Sequence, residues 1–288
     1  MVISRFLKIT ANKLKGHGFG KSVIVAKLYH YVSKKILPEF VNFNGFKIFL
    51  SSEDAINFAL FGYENEAYEI SLFKSELKIG NMVLDIGANI GLYSLIASKL
   101  IGEMGRVYSF EPDIVSFKNL KQNSIGNFCK NIILINRAVS STNGYASLAP
   151  PSNKSSRSGY HLIKQEKNLH SIKVETVCLD DFLKNKEKKI DVIKLDCEGS
   201  EFDALKGMEN ILRNNNDVKI FLEFNPSALN RLDVNIPDFL DYLFVLNFII
   251  FNINEKKKQK EIVDKNWLLN FAEHYRSDGY TNLFCIRK

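Results

Sequence analysis

Two carboxylates and a glycine-rich turn stand at a spacing that suits an adenosyl ligand. Val83-Leu-Asp85-Ile-Gly87-Ala-Asn89-Ile-Gly91 reads as a buried strand running into a tight turn, with a helix beginning near Leu92. Glycines there let the backbone turn sharply and approach a ligand closely. A dinucleotide fold would need G-x-G-x-x-G, and Asn89 stands where its second glycine should be. Asp85 would also lie near a pyrophosphate, whose site avoids a fixed negative charge. S-adenosylmethionine has no phosphate and carries an ammonium and a sulfonium, which an acid favours. The next strand, Arg106–Phe110, ends in Glu111-Pro112, twenty residues beyond Gly91. A carboxylate at that tip is placed to accept both ribose hydroxyl protons.

A second group of acids follows. Ile190–Asp196 reads as a strand leading into Cys197-Glu198-Gly199-Ser200-Glu201, and Val218–Phe224 as a strand carrying Glu223 and leading into Asn225-Pro226. Asp196 is expected beside the transferable methyl, where it serves both cofactor and chemistry. Methyl transfer to oxygen is an in-line displacement with a good leaving group, so the protein supplies alignment, water exclusion and a base. Asp196, Glu198 and Glu223 are the catalytic candidates, with His161 a further candidate base. Asp196, Glu198, Glu223 and Asn225 could instead hold Mg²⁺, since hard cations take oxygen ligands. Ser200 with Asp203 resembles a helix-start capping pair, and Glu201 suits the positive end of that helix.

These residues need a scaffold that brings strand ends together. From Met82 the chain alternates strand and helix, with strands expected at Met82–Ile86, Arg106–Phe110, Ile132–Val139, Ile190–Asp196, Val218–Phe224, Phe248–Asn252 and Leu283–Arg287. That rotation implies an α/β fold with a doubly wound, mostly parallel seven-stranded sheet. Thr142 to Val177 breaks it and reads as loop and hairpins over the sheet edge. Upstream, helical spacing over residues 1 to about 37 ends at Pro38. Phe40–Phe49 reads as a hairpin around Asn44-Gly45, and helical patterns cover roughly Asp54 to Leu77. The expected division is a helical and hairpin extension over 1–61 and a cofactor-binding domain over 62–288.

Composition sets outer bounds. Of the 288 residues 45% are hydrophobic and 25% charged, which suits a globular chain with a substantial core. The four cysteines form no C-x-x-C pair, arguing for reduced thiols rather than a zinc cage. No stretch is apolar enough to span a bilayer, and no signal-peptide pattern is read at the start, so a cytoplasmic setting is expected. The net charge of +7 is concentrated in Lys8–Lys35 and Lys256–Lys260. Such runs could give peripheral contact with an anionic membrane face. They lack the aromatic interleaving of nucleic-acid modules, so no nucleic-acid partner is expected.

Six blocks in order, VLDIGANIGLYSL, GRVYSFEPD, INRAVSS, VETVCLDDFL, IDVIKLDCEGSE and VKIFLEFNP, resemble the FkbM family of methyltransferases over roughly Gly62 to Pro226. The resemblance implies a class I, Rossmann-like methyltransferase fold and O-methylation, often of sugars in glycans or of natural products. By position, Asp85, Gly87, Asn89, Gly91 and Glu111 would bind cofactor, together with the backbone around Ala138. Glu64 belongs to the family's acidic lead-in, and Asp180 and Asp181 to its L-D motif. The acceptor is expected to be a saccharide or small molecule. Two rivals are a nicotinamide-dependent oxidoreductase, against which Asn89 and Asp85 count, and a non-catalytic binding protein on the same scaffold, against which the intact strand-end acids count. An amino-methylating enzyme of nucleic acid would need a second proline and an aromatic after Asn225-Pro226, where this chain has Ser227.

Overall fold

The computed structural model describes residues 38–49, 66–150, 161–163, 171–187, 189–275 and 279–287. The helices expected over residues 1 to about 37, the expected boundary at 61/62 and Glu64 lie outside them. The described chain opens with a hairpin, β1 (Phe40–Phe43) and β2 (Phe46–Phe49), turning through Asn44 and Gly45, both at positive φ as that signal requires. Helix α1 (Ala67–Glu76) leads into β3 (Met82–Ile86), α2 (Leu92–Ile101), β4 (Arg106–Phe110), α3 (Ile114–Gly126) and β5 (Ile132–Ile135). There the expected long strand breaks, because Asn136 turns away to donate to the carbonyls of Glu111 and Pro112.

The chain then builds a second sheet from β6 (Ala138–Val139), β7 (Gly144–Ala149), β8 (His161–Ile163) and β9 (Ile172–Val177), in the order β6-β9-β7-β8. It returns through α4 (Leu179–Leu183), β10 (Val192–Leu195), α5 (Glu201–Lys206), α6 (Glu209–Asn214), β11 (Lys219–Phe224), α7 (Pro226–Arg231) and α8 (Ile236–Val245). The final elements are β12 (Phe248–Asn254), β13 (Gln259–Val263), α9 (Lys265–His274) and β14 (Thr281–Arg287).

The large sheet has the order β13-β12-β14-β11-β10-β3-β4-β5. Strands β5, β4, β3, β10 and β11 pair in parallel, whereas β14 runs antiparallel to both β11 and β12. Seven of its strands are those the sequence predicts. The eighth, β13, hairpins onto β12 at the edge, and its polar sequence Gln-Lys-Glu-Ile-Val hides it from a hydrophobic pattern. The lysine run read as a basic patch forms this turn.

Side chains alternate across the sheet, and each face carries its own core. Leu84, Ile86, Ile193, Leu195, Ile220 and Leu222 pack toward α4, α5 and α8. Val83, Val192, Phe221 and Phe284 pack on the other face with α1, α2 and the β1–β2 hairpin. On that second face the pattern changes toward the carboxyl ends of the strands. Two residues beyond each apolar position come Asp85, Lys194, Glu223 and, on the reversed β14, Asn282. One face of the sheet therefore runs from oil to charge, and the charged end carries the site. Among the described residues no helix is long and apolar enough to cross a membrane.

Candidate active site

The turn after β3 is tied to both neighbouring strands. The Gly87 and Ala88 amides donate to the Phe110 carbonyl at 2.9 and 3.0 Å, and the Asp196 amide donates to the Ile86 carbonyl at 3.0 Å. Gly87 has φ +80, and a Cβ there would lie 1.8 Å from the Asp196 carbonyl oxygen. Only glycine lets this turn meet the end of β10. Gly91 is required by its backbone conformation, φ +91; a Cβ there would meet the end of the Leu120 side chain of α3 at 2.3 Å.

Glu111 is buried at the tip of β4. Its Oε2 accepts from the Asn89 amide and its Oε1 from the Asp113 amide, both at 2.8 Å. The two loops thereby fix the carboxylate, and each oxygen retains a lone pair for a ligand hydroxyl. Burial pushes the Glu111 carboxyl up to about 8, against the pull of the two amides. Asn89 takes the left-handed conformation, φ +50, and its Oδ1 is buried without a hydrogen-bond partner. Asp85 lies beneath the turn, only 2% exposed, accepting from Ser94 Oγ at 2.5 Å in a hydroxyl chain that continues to Ser109. The sequence places it against the ligand; the fold places it under the loop that would hold one. Burial raises its carboxyl to about 6. Ala138 is buried and paired with Thr176 in the small sheet.

Across the turn, Asp196 and Glu198 share one loop, whose backbone is constrained: Glu198 has φ +57 and Gly199 φ +106. A Cβ on Gly199 would lie 2.4 Å from the Ala228 carbonyl oxygen. Glu201 folds back so that its Oε1 accepts from the Cys197 and Gly199 amides at 3.0 and 3.2 Å. The capping pair expected of Ser200 and Asp203 does not form. Asp203 is taken by Ser140 and Ser141, and Ser200 Oγ is buried without a partner.

Sequence reasoning passed over the centre of this group, Lys194. Its ammonium is buried 3.2 Å from Glu69 Oε1 and 3.3 Å from Asp196 Oδ2, and sits 4.9 Å from the Tyr93 ring centroid. Glu69 Oε1 lacks a hydrogen-bond donor of good geometry, but at this distance inside the protein the ionic contact decides. Burial alone would lower the lysine, yet Glu69, Asp196, Glu66 and Glu223 outweigh it and hold Lys194 charged. Burial pushes up the carboxyls of Glu66 and Glu198, each to about 8, and that of Glu223 well above its ordinary range. Asn282 donates to Glu69, and Glu255 accepts from the Tyr68 and Glu69 amides at 2.9 and 2.7 Å, holding the first turn of α1 over the site. The legible signal was a lysine inside the otherwise apolar Val192–Leu195.

Other expected residues lie elsewhere. Asn225 caps α7 by accepting from the Ala228 amide. Among the described residues no three His, Cys, Asp or Glu side chains are placed to hold a metal, so the expected Mg²⁺ set is not brought together. His161 sits in β8, paired with Ala149 in the small sheet. Asp180 accepts from the Asn210 and Ile211 amides at the start of α6, and Asp181 from Asn143.

The family model of the methyltransferase FkbM domain matches residues 85–250, from Asp85 of β3 to β12. The chain belongs to the FkbM methyltransferase family. Within and beyond that family, the chain is 31% identical over 166 residues to the hexuronic acid methyltransferase AglP of Haloferax volcanii; the match covers 57% of this chain and 65% of AglP. A solved FkbM methyltransferase from Methylobacillus flagellatus KT shares 14% identity at a TM-score of 0.43, over 90% of this chain and 60% of that one. Precorrin-6y C5,15-methyltransferase from Geobacter metallireducens GS-15 shares 12% at 0.44, over 77% and 88%. Likenesses this distant carry nothing about function.

Proposed function

We propose that this FkbM-family chain transfers the methyl group of S-adenosylmethionine to an oxygen of a saccharide or related small acceptor. The observation that supports it most is Glu111, a buried carboxylate held by two loop amides beside the unpartnered Asn89 oxygen, with the Asp196–Glu198 loop packed against the same glycine turn. Glu111 would take the ribose hydroxyls, and Asn89, Gly87 and Gly91 would shape the cradle. The cofactor supplies an electrophilic methyl on a sulfonium. With the cofactor bound, a carboxylate of this chain would take the proton of the acceptor hydroxyl as that oxygen is methylated. Glu198 suits that role, because burial brings its carboxyl to about 8, near the working pH. Asp196, tethered to Lys194, orients the acceptor, and the buried Glu223 carboxyl stands beside them on β11. A saccharide acceptor draws support from AglP, which is named for a hexuronic acid.

Calorimetry with S-adenosylhomocysteine tests the cofactor reading. The wild type should bind it and not NAD, and Glu111→Ala should weaken binding by about 1–3 kcal/mol through lost charged hydrogen bonds. Unchanged affinity in the variant would remove Glu111 from the site. A cytoplasmic setting with peripheral membrane contact through Lys8–Lys35 is part of the same proposal. Flotation with anionic vesicles should show association at low salt that disappears at high salt, since surface charge is screened within about 10 Å at 0.1 M. Salt-resistant association would contradict it.

A further inference from the structure

A cleft of about 660 Å³ opens between the small sheet and the segment running from α5 to the start of α8. It reaches the catalytic loop directly, because Gly199 and Ser200 form part of its wall. Ser200 is 3% exposed and its hydroxyl has no hydrogen-bond partner, an unfavourable arrangement that a ligand hydroxyl would relieve. Across the cleft β7 presents Tyr145, which is 65% exposed and has the Lys173 ammonium 4.2 Å from its ring centroid, whereas Phe202 of α5 is packed against Phe239 and Tyr242.

The chemistry of this wall is selective. An apolar ligand would strand the hydroxyls and the Asn235 amide that share it. A polyphosphate or nucleic-acid backbone would meet Asp233 and Asp238 at the same rim. A pyranose satisfies both demands, since its C–H face stacks on an aromatic ring while its hydroxyls exchange hydrogen bonds with scattered donors and acceptors.

We infer that this cleft is the binding site for the acceptor saccharide, with Ser200 hydrogen-bonding a sugar hydroxyl and Tyr145 as the stacking platform. The inference rests on the proposed methyl transfer for its function but not for its test. The small sheet, which has no part in the cofactor turn, thereby acquires a role in choosing the acceptor.

The test uses the full chain and two probes, methyl glucoside and methyl glucuronoside, followed by saturation-transfer NMR with and without S-adenosylhomocysteine. Both probes should receive saturation in the wild type. Ser200→Ala should raise their apparent Kd roughly threefold to tenfold, the worth of one hydrogen bond, while leaving thermal stability equal or higher because an unpaired buried group is gone. Tyr145→Ala, at an exposed position, should weaken the transfer in the same direction. S-adenosylhomocysteine affinity should stay unchanged in both variants. No transfer to either probe in the wild type, or transfer that is equal in wild type and variants, overturns the proposal. Failure of the wild type to bind S-adenosylhomocysteine would strike the cofactor reading alone, because the sugar titration without it still decides the cleft.

Discussion

Glu198 is the residue in which strain, burial and chemistry meet. It holds a left-handed backbone conformation that non-glycine residues adopt only when the surroundings demand it. Burial, with Asp196 and Glu201 adding to it, lifts its carboxyl from 4.5 to about 8 against the pull of Arg231. Two consequences follow from the sign of that shift. The folded state binds this proton more tightly than the unfolded state does, so Glu198 contributes stability that is full below about pH 4.5 and is lost as pH rises through about 8. Glu198→Gln should therefore remove its share of the fall of Tm across that window, leaving the comparable shares of Glu66 and Glu111, which are raised over the same range. If Glu198 also takes the acceptor proton, wild-type turnover should climb as pH passes through about 8. The variant should lose roughly 10²–10⁴-fold and that climb with it. EDTA should change neither enzyme, because among the described residues no three His, Cys, Asp or Glu side chains converge on a metal position. A fully active Glu198→Gln enzyme would return the base role to Asp196.

Elements explain why some of this was legible in sequence and some was not. The glycine turn and the strands that flank it are local: β3 and β4 fall where alternation and glycine spacing put them. The site's buried cation is not local. Lys194 is neutralised by Glu69 from α1, which is held in turn by Asn282 of β14 and by Glu255 of the β12–β13 turn, and no window of sequence contains all four. The same holds for Asn136, whose side-chain bonds to the end of β4 split one expected strand between two sheets. Gly87 joins the local and distant levels, because its turn is local but its lack of a side chain is demanded by β10. Gly87→Ala would place a methyl against the Asp196 carbonyl and force alanine into the left-handed region, itself costing about 1–2 kcal/mol. The expected result is a lowered urea midpoint together with weaker S-adenosylhomocysteine binding, since the turn cannot stay seated on both β4 and β10. A variant of wild-type stability and affinity would show that the turn is free to shift.

At the scale of the whole molecule, the question is what the catalytic core needs from the chain that precedes it. The sequence groups the hairpin with an N-terminal extension over 1–61, yet Phe46 and Ile48 are buried in the same cluster as β3, α2 and β14. The hairpin is also bolted to α3: the Lys47 and Phe49 amides donate to Asn127 and Asn123 at 2.8 Å, and Asn127 returns a bond to the Lys47 carbonyl. Gly126 has no side chain where the Phe49 ring lies, since a Cβ there would stand 2.1 Å from it. The helix that receives the hairpin also packs Leu120 against Gly91 of the cofactor turn. Loss of the hairpin should therefore reach the ligand site. Two truncations separate this from any role of the first residues. A chain beginning at residue 38 keeps every contact just named, and one beginning at residue 62 loses them. The second should be less stable than the first by about 3–6 kcal/mol, from two buried side chains at about 1.5–3 kcal/mol each. Its denaturation slope in urea should fall as well, because less surface is buried. Its affinity for S-adenosylhomocysteine should drop as Leu120 loosens beneath Gly91. Equal midpoints and equal affinities in the two truncations would show that the hairpin only rests on the core, and that the cofactor turn is held from within the sheet alone.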